Sequence, residues 1–547
     1  MSNQPSRPRR RGAGSAPDLD AVIVGAGFSG LYMLYRLRDV LGLKARVFEA
    51  GDGVGGTWHW NRYPGARCDS ESFYYSFSFS EELEQEWEWT SRYPEQPEIL
   101  SYLNHVADRF DLRRDIQLGT RVIGASFDES TESWEVRTEA GEPVTARFLI
   151  SAVGCLSAAN IPEIKGLDAF EGDWYHTAAW PQQGVEFGGK RVGLIGTGST
   201  GIQTTPVIAA QAEHLTVFQR TPNFSIPARN GPITQEAWTE IKANYRDIRR
   251  RARESLGGFP FELEDRSAMD VSDEERQAIY EQLWEEGGFK FLWGSFRDLL
   301  SDKEANDTAA EFIRGKIRET VKDPEVVALL LPTDHPYGTK RPPIDTDYYE
   351  TFNRPNVKLV DVRKTPIVEA TPHGLRTEGG EYELDIIVFA TGFDAMTGSL
   401  LKIDIHGSGG RTLADKWAAG PRTYLGLQVA GFPNLFTITG PGSPSVMINM
   451  PVAIEQHVEW ISDCIEHMRT RGLRRIEANL EAEDEWIDHV NKVADMTLYP
   501  RADSWYLGAN IPGKKRVFMP YVGGQIEYRR RCDEVTARDY LGFELRS

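Results

Sequence analysis

The chain has 547 residues with a formal net charge of −19, and 40% of its residues are hydrophobic, as is usual for folded domains. This length exceeds what one hydrophobic core usually holds, so we expect two or three domains. An acidic chain lacks the basic face that nucleic acid phosphates require, and no apolar run approaches the ~18 residues that span a bilayer. We therefore expect neither a nucleic acid partner nor a membrane.

The first 17 residues are polar and include four closely spaced arginines, without the apolar segment that follows the charges of a signal peptide. We expect 1–17 to form a disordered tail. The four cysteines are far apart and form no C-x-x-C pair, so neither a metal site nor a redox dithiol is indicated; they are Cys68, Cys155, Cys464 and Cys532. Free thiols are typical of a reducing compartment, which predicts a cytoplasmic protein.

The first motif that carries chemistry is a glycine-rich turn, Gly25-Ala26-Gly27-Phe28-Ser29-Gly30. An apolar run at 21–24 precedes it, and apolar residues at helical spacing follow it, which indicates a strand, a turn and a helix. The next predicted strand, 45–48, ends in Glu49. An acid at this position can hydrogen-bond the ribose of a dinucleotide.

A second turn of the same kind reads Gly196-Thr197-Gly198-Ser199-Thr200-Gly201. Predicted strands at 191–195 and 215–218 flank it, but the second of these is followed by Arg220 and Thr221, without an acid. A guanidinium at this position can pair with the oxygens of a 2′-phosphate. The sequence therefore predicts two dinucleotide sites, the second of them for NADPH.

The stretch between the two turns fits the pattern F-x-G-x-x-x-H-x-x-x-W-P, at Phe170, Gly172, His176, Trp180 and Pro181. In this the chain resembles the type I Baeyer–Villiger monooxygenases, flavoproteins that include phenylacetone, steroid and cyclohexanone monooxygenases. The resemblance implies that the first dinucleotide is FAD. It also implies that NADPH reduces the flavin, that O2 forms a C4a-peroxyflavin, and that this species converts a ketone to an ester or lactone.

The resemblance also assigns the candidate site. A second family pattern, G-x-W-x-x-x-x-Y-P-G-x-x-x-D, ends at Asp69. The segment Gly338-Thr339-Lys340-Arg341 resembles the one that carries the family's catalytic arginine, here Arg341, which Asp69 would orient. The FAD site would include Gly25, Gly27, Ser29, Gly30, Glu49, Gly56, Thr57, Trp58, Asp69, Tyr75 and Met450. The NADPH site would include Gly196, Thr197, Gly198, Ser199, Thr200, Gly201, Arg220, Thr221, Lys340 and Trp505. The substrate would meet Ser445, Val446, Met447 and Trp505.

Several of these residues have a plainer interpretation. Lys340 and Arg341 could be solvated surface charges, and Trp505, Val446 and Met447 could be ordinary core residues. For His176 and Trp180 we favour a structural role at the linkers between domains over a role as general base.

The expected fold is α/β, with two Rossmann-like dinucleotide-binding domains and a helical insertion. The FAD domain would comprise 18–157 and 393–547, the NADPH domain 158–224 and 336–392, and the insertion 225–335. In the insertion, Ser272 with Glu275 and Ser301 with Glu304 are candidate capping boxes. We expect a monomer.

The main alternative function is that of a flavin monooxygenase acting on nitrogen or sulfur, and Trp180-Pro181 favour the ketone enzymes. An oxidoreductase limited to hydride transfer usually needs a dithiol for disulfide chemistry, and no suitable pair exists. A flavin-binding protein without catalysis is a third possibility.

Overall fold

The structure is a computed structural model and describes residues 17–262 and 264–547, so the expected tail lies outside the described residues except for its last residue. The strands, in chain order, are β1 (Leu19–Val24), β2 (Ala45–Phe48), β3 (Ile116–Gln117), β4 (Val122–Asp128), β5 (Ser133–Thr138), β6 (Val144–Ser151), β7 (Asp173–His176), β8 (Arg191–Ile195), β9 (His214–Gln219), β10 (Ile226–Pro227), β11 (Ile344–Asp345), β12 (Val357–Asp361), β13 (Ile367–Thr371), β14 (Gly374–Thr377), β15 (Gly380–Glu383), β16 (Ile386–Phe389), β17 (Asp404–His406), β18 (Leu435–Thr437), β19 (Arg475–Ala478) and β20 (Phe543–Arg546).

The α-helices, in chain order, are α1 (Phe28–Tyr35), α2 (Thr57–Trp60), α3 (Glu81–Glu86), α4 (Gln96–Arg109), α5 (Ser199–Gln211), α6 (Gln235–Arg253), α7 (Asp273–Glu286), α8 (Lys290–Trp293), α9 (Lys303–Thr320), α10 (Pro324–Leu330), α11 (Tyr348–Thr351), α12 (Gly398–Leu401), α13 (Leu413–Lys416), α14 (Met450–Thr470), α15 (Leu480–Asp495) and α16 (Gly524–Ala537).

The first large sheet has the order β17-β4-β5-β6-β1-β2-β3, with β18 also beside β6. Its centre is parallel: Val22 of β1 lies opposite Arg46 of β2 and Leu149 of β6. The strand β1 is apolar throughout its second half because helices cover one face of the sheet and a second apolar cluster, with side chains of β4, β5 and the segment 400–435, covers the other. The strands predicted at 21–24 and 45–48 are confirmed.

The second large sheet has the order β12-β9-β8-β16-β7 and is parallel throughout. Leu194 of β8 lies opposite Val217 of β9 and Val388 of β16. The strands predicted at 191–195 and 215–218 are confirmed. The two sheets, each with a glycine turn after one of its parallel strands, give the α/β fold with two dinucleotide-binding units.

The helices between 235 and 330 pack against both units. Trp238 and Tyr245 of α6 contribute to the core beneath α1, whereas Leu283 of α7 and Phe312 of α9 contribute to the core of the second sheet. Their placement shows that this stretch bridges the two units.

The two predicted caps in this stretch had different outcomes. Ser272 is the N-cap of α7, and its side chain accepts from the Glu275 amide at 3.2 Å; the Glu275 carboxylate accepts from Arg266 Nη1 at 2.6 Å instead, so only half of the predicted capping box forms. The prediction that Ser301 caps the next helix is wrong, because Asp302 accepts from the Ala305 amide at 2.9 Å. The helix starts one residue later than expected, and a carboxylate caps it as well as a hydroxyl would.

Two connecting segments join the sheets side by side, where Ala159 bridges to Phe393 and the Asn160 amide donates to Gly392 O at 2.9 Å. All four cysteines are buried and unpaired. Across 17–262 and 264–547, no helix has the length and apolar character to cross a membrane, and no three potential metal ligands cluster.

Candidate active site

The two glycine turns have the same tight geometry. Gly25 has φ +105°, and a Cβ there would lie 2.5 Å from the carbonyl oxygen of Ala152; a Cβ on Gly30 would lie 1.8 Å from the Gly25 oxygen. The second turn repeats this pattern, with φ +113° at Gly196 and a Cβ on Gly201 at 2.1 Å from the Gly196 oxygen. Only glycine fits these positions, and each turn therefore brings a helix N-terminus close to its sheet.

The helices that follow these turns begin without side-chain caps. Gly27 and Gly198 are the N-caps of α1 and α5, and neither helix has an acid in its first turn. Side chains cap some other helices, as Thr234 caps α6 and Asn479 caps α15, whereas α4, α14 and α16 also begin without a side-chain cap. Beside Gly198 there is open space where a Cβ would project. Free amides at a helix N-terminus fit a pyrophosphate, here placed beside Ser29, Ser199 and Thr200.

At the ribose end of the first turn, Glu49 is only 4% exposed. Its Oε2 accepts from the Ala26 amide at 2.7 Å and its Oε1 accepts from the Gly51 amide at 2.8 Å. Each carboxylate oxygen has a second lone pair that could accept from a ribose hydroxyl. The residue is therefore fixed in a position that fits the adenosine ribose of FAD.

The corresponding end of the second turn is cationic. Thr197 donates its hydroxyl to Thr221 O at 2.8 Å, which places the exposed Arg220 next to the turn. The pKa of the nearby Lys340 is lowered, chiefly by burial. The Asp334 carboxylate opposes this shift, and the positive charge of Arg220 adds to it. Neither Lys340 nor Arg220 forms an ion pair with any described residue. Two unpaired cations beside a dinucleotide turn fit a 2′-phosphate.

Arg363 is a third cation in this region, and sequence reasoning missed it. It adds to the lowering of the Lys340 pKa, and its Nη1 donates to Asp334 Oδ2 at 3.2 Å. It follows β12, the strand beyond β9 at the sheet edge. The only signal for it would have been the sheet order, which a single sequence does not reveal.

The centre of the candidate site is the pair of Arg341 and Asp69. Arg341 donates from Nε to Asp69 Oδ2 and from Nη2 to Asp69 Oδ1, both at 2.8 Å. Its Nη1 donates to Val446 O at 3.1 Å, and its guanidinium lies 4.8 Å from the centre of the Phe289 ring. Burial opposes the charge on Arg341, but Asp69 outweighs burial and raises its pKa. Arg341 is therefore a fixed cation and not a solvated surface charge.

Asp69 belongs to a loop held between the two units. Gly65 has φ +82°, and a Cβ there would lie 2.4 Å from Gln203 O on α5. Tyr63 donates its hydroxyl to Gln203 Oε1 at 2.8 Å, and Thr204 donates to Pro64 O at 3.2 Å. The tyrosine, proline and glycine of the second family pattern thus dock the FAD-side loop onto the NADPH-side helix.

The start of the same loop lies next to the first glycine turn. A Cβ on Gly27 would lie 3.3 Å from the Cα of Gly56, so the two backbones touch. Thr57 is exposed at the start of α2, while Trp58 is buried and donates from Nε1 to the Tyr75 hydroxyl at 3.2 Å. These predicted FAD residues therefore form one continuous surface.

The fingerprint residues lie apart from Arg341 and hold the connecting segments. His176, at the end of β7, is 3% exposed, and its Nδ1 accepts from the Ala178 amide at 3.1 Å. The ring proton then lies on Nε2, which is 3.3 Å from the Thr391 hydroxyl; that hydroxyl donates to Asn160 O at 2.5 Å. Burial lowers the pKa of His176, so the ring is neutral. This geometry fits a structural role.

The other fingerprint residues are packing positions of the second unit. A Cβ on Gly172 would lie 2.3 Å from Asp385 O, and the Phe170 ring packs beneath the second sheet. Trp180 is buried, with its ring 5.5 Å from that of Tyr175, and Pro181 follows it at the surface of this core. The described hydrogen bonds and ring contact of the Arg341 guanidinium are with Asp69, Val446 and Phe289, and none of them is with a fingerprint residue.

The predicted substrate residues share one apolar cluster. Val446 and Met447 are buried, and Met450 and Trp505 pack against the same cluster, which also holds Tyr506. The Trp505 and Tyr506 rings have centroids 4.2 Å apart. Burial raises the pKa of Tyr506 to about 12, opposed by Arg341. The cluster therefore borders the fixed cation.

Ser445, at the start of this loop, has φ +43° and is fully buried. A non-glycine residue with a positive φ is strained and is held by its surroundings, here with its hydroxyl 3.9 Å from the Met396 sulfur.

Tyr506 and Phe289 are site residues that sequence reasoning missed. Both lie in stretches whose contacts with Arg341 depend on the tertiary fold.

Comparison with known proteins agrees with this geometry. The profile of the family described as flavin-binding monooxygenase-like matches residues 20–229. A Baeyer–Villiger monooxygenase from Pseudooceanicola batsensis is 47% identical over 525 residues, covering 96% of this chain and 95% of the relative. The chain belongs to the Baeyer–Villiger monooxygenase family. It is an FAD- and NADPH-dependent monooxygenase.

Two further relatives are named for different reactions, one for oxidation of a steroid and one for oxidation of a phenazine nitrogen. A solved steroid monooxygenase with NADP bound superposes with a TM-score of 0.92 at 55% identity, covering 96% of this chain and 99% of that one. Phenazine N-monooxygenase PhzNO1 from Lysobacter antibioticus is 47% identical over 530 residues, covering 96% of this chain and 97% of the relative. The chain is therefore a Baeyer–Villiger monooxygenase of ketones, and oxygenation of nitrogen is the less supported alternative.

Proposed function

We propose that this monooxygenase acts on ketones with an apolar body, which bind between Arg341 and the apolar cluster of Val446, Met447 and Trp505. The observation that carries the proposal is the permanently charged Arg341, fixed by Asp69 at the border of that cluster. When bound, FAD accepts a hydride from NADPH and activates O2 for insertion beside the carbonyl, which gives an ester or lactone.

Arg341 would stabilise negative charge where it develops, on the attacking oxygen and on the carbonyl oxygen of the ketone. The Asp69 carboxylate holds the guanidinium in one orientation through two hydrogen bonds, so no reorganisation is required during the reaction. The backbone of Val446 fixes a third N–H. Arg341 would thus act as a preorganised cation and Asp69 as its positioning partner.

The remaining candidate residues would bind the cofactors. Glu49 and the Gly25–Gly30 turn would hold FAD, with Tyr75, Met450 and Gly56–Trp58 along it. The Gly196–Gly201 turn, with Arg220, Thr221 and Lys340, would hold NADPH. Trp505 would cover the nicotinamide and exclude water. Their support is the pair of uncapped helix N-termini and the unpaired cations beside the second turn.

We further propose the domain division 18–157 with 393–547 for FAD, and 158–224 with 336–392 for NADPH, with the helices of 225–335 inserted between.

We also propose that the enzyme is a monomer and that it is cytoplasmic, since its thiols are unpaired. Light scattering of the purified protein tests the monomer. Localisation by fractionation of the host cell tests the compartment.

Oxygenation of nitrogen is the second candidate, because PhzNO1 bears that name at 47% identity. It needs no cation beside a carbonyl oxygen, so the fixed Arg341 favours ketones. The test is a panel of cyclic, arylaliphatic and steroidal ketones, together with an aromatic amine and a thioether, with NADPH consumption and products measured. Esters or lactones from ketones are expected at the highest rates; N-oxides formed without any ester would contradict the proposal.

A further inference from the structure

A buried arginine outside this site contacts the backbone that leads into it. Arg249 of α6 is 7% exposed, and its Nε donates to Glu84 Oε1 at 2.6 Å. Its Nη1 donates to Tyr74 O at 3.2 Å. Its Nη2 donates to Ser76 Oγ at 2.8 Å and to Phe77 O at 3.2 Å. Three acceptors of one irregular turn are therefore satisfied by a single side chain.

The carbonyl of Tyr74 is shared with the start of another helix. Asn449, the N-cap of α14, donates from Nδ2 to Tyr74 O at 2.9 Å and is 1% exposed. It follows directly on the loop that contains Val446 and Met447. Four residues beyond Tyr74, the amide and hydroxyl of Ser78 donate to the carboxylate of Glu455 on α14, both at 2.5 Å.

The turn 74–78 therefore lies between α6 on one side and the first turns of α14 on the other. It also carries Tyr75, whose hydroxyl accepts from Trp58 in the proposed FAD surface. Buried carbonyls need donors, and those of Tyr74 and Phe77 obtain them from side chains: Arg249 donates to both, and Asn449 also donates to Tyr74. Loss of that side chain would leave both without their Arg249 donor and relax the turn.

We propose that Arg249 is a positioning residue for the substrate-facing loop: through the shared Tyr74 carbonyl, it holds Asn449 and the start of α14 in place. The planar guanidinium fork reaches Glu84 and the turn together, which the single ammonium of lysine does not reproduce. This inference rests on the proposed role of the 445–450 loop. Its effect would be on ketone binding and not on hydride transfer.

The test is hydrogen–deuterium exchange on the FAD-loaded, full-length Arg249→Lys enzyme. Amides of 74–78 and of 446–454 are expected to exchange about tenfold faster than in the wild type, equivalent to ~1.4 kcal/mol in local opening. The KM for a ketone should rise severalfold, while flavin reduction by NADPH stays at the wild-type rate. A merely structural role would lower the melting temperature without moving exchange at 446–454.

The matched control is Trp238→Phe, which removes another buried hydrogen bond of α6, from Trp238 Nε1 to Trp89 O at 2.8 Å, that does not involve 74–78. It is expected to leave exchange at 446–454 unchanged. If it speeds that exchange as much as Arg249→Lys does, the effect is a general loosening of α6 and the proposal is wrong.

Exchange in Arg249→Lys that rises only within 74–86, with 446–454 as in the wild type, overturns the proposal. Should Arg249→Lys not fold, Ser76→Ala removes one of the acceptors and should speed exchange in both segments; unchanged exchange at 446–454 then contradicts the inference. A wild-type enzyme that oxidises no ketone would contradict the proposed function alone, because the exchange measurement does not depend on turnover.

Discussion

Arg341 and Asp69, 272 residues apart in sequence, form a two-bond ion pair with both N–O distances at 2.8 Å. Asp69 lies on the loop that docks onto α5, and Arg341 lies on the segment that leads into β11. The pair therefore joins the two dinucleotide-binding units where their loops meet. With Nη1 donating to Val446 O, further guanidinium N–H groups remain for a bound ligand.

Replacement of Arg341 by alanine is expected to lower the rate of ester formation ~10²-fold or more, since it removes the cation that stabilises developing negative charge. NADPH oxidation should persist and yield hydrogen peroxide, because hydride transfer creates no such charge. Product chromatography together with a peroxide assay measures both. Arg341→Lys should rescue poorly, because an ammonium cannot form both bonds to Asp69 in this geometry. Ester formation at the wild-type rate in Arg341→Ala would refute the assignment.

Replacement of Arg220 by alanine should raise the KM for NADPH by about ten- to a hundredfold, the equivalent of roughly 1.5–3 kcal/mol for a charged hydrogen bond. The KM for NADH should hardly change, because NADH lacks the 2′-phosphate. Steady-state kinetics with both cofactors measure the difference. Arg376→Ala, at the exposed position of β14, is the control and should alter neither value. An equal effect on the two cofactors would rule out the phosphate contact.

Substitutions at Val446 and Met447 should change which ketones are accepted, or on which side oxygen is inserted. Both side chains lie in the cluster that borders Arg341, and neither contacts the glycine turns. Flavin reduction by NADPH, followed by stopped-flow absorbance, should remain near the wild-type rate. If variants at both positions keep the same product ratios for small and bulky ketones, these residues belong to the core and not to the pocket.

Asp345 gives the fold a pH dependence. It is buried, accepts from the Ser225 hydroxyl at 2.5 Å and the Tyr348 amide at 3.1 Å, and burial raises its pKa from 3.8 to about 7. Because the folded state binds this proton more tightly than the unfolded state does, protonation of Asp345 stabilises the fold. The stabilisation is fully present below pH 3.8 and is lost as the pH rises through about 7.

Asp345→Asn cannot ionise, so its melting temperature should improve relative to the wild type between pH 5 and pH 8. Calorimetry at several pH values checks this. A difference between variant and wild type that stays constant with pH would show that Asp345 does not titrate in this range.

The local parts of the fold could be predicted because their signals are local. The apolar run before Gly25, the glycines themselves and the helical spacing after them specify a strand, a turn and a helix within 20 residues. The cap at Ser272 was predicted for the same reason. The cap at Asp302 was missed by one residue because Ser301 and Asp302 are both good caps, and the local sequence does not decide between them.

Contacts between distant segments could not be predicted. Arg249 reaches the turn at Tyr74 across 175 residues, and Phe289 lies under Arg341 only because α7 and α8 fold back over the second unit. Arg363 joins the cationic end because β12 pairs with β9. A motif names residues that act together within a family, whereas supporting residues such as these depend on packing that one sequence does not encode locally.

The most direct test of the central claim is the reaction of the purified enzyme with a ketone, NADPH and ¹⁸O2. We expect one ¹⁸O atom in each ester or lactone, at the position between the carbonyl carbon and the migrated carbon, with one NADPH consumed per product. Mass spectrometry of the intact product and its fragments locates the label. A product without ¹⁸O, or consumption of NADPH that yields only hydrogen peroxide with every ketone tested, would contradict the account.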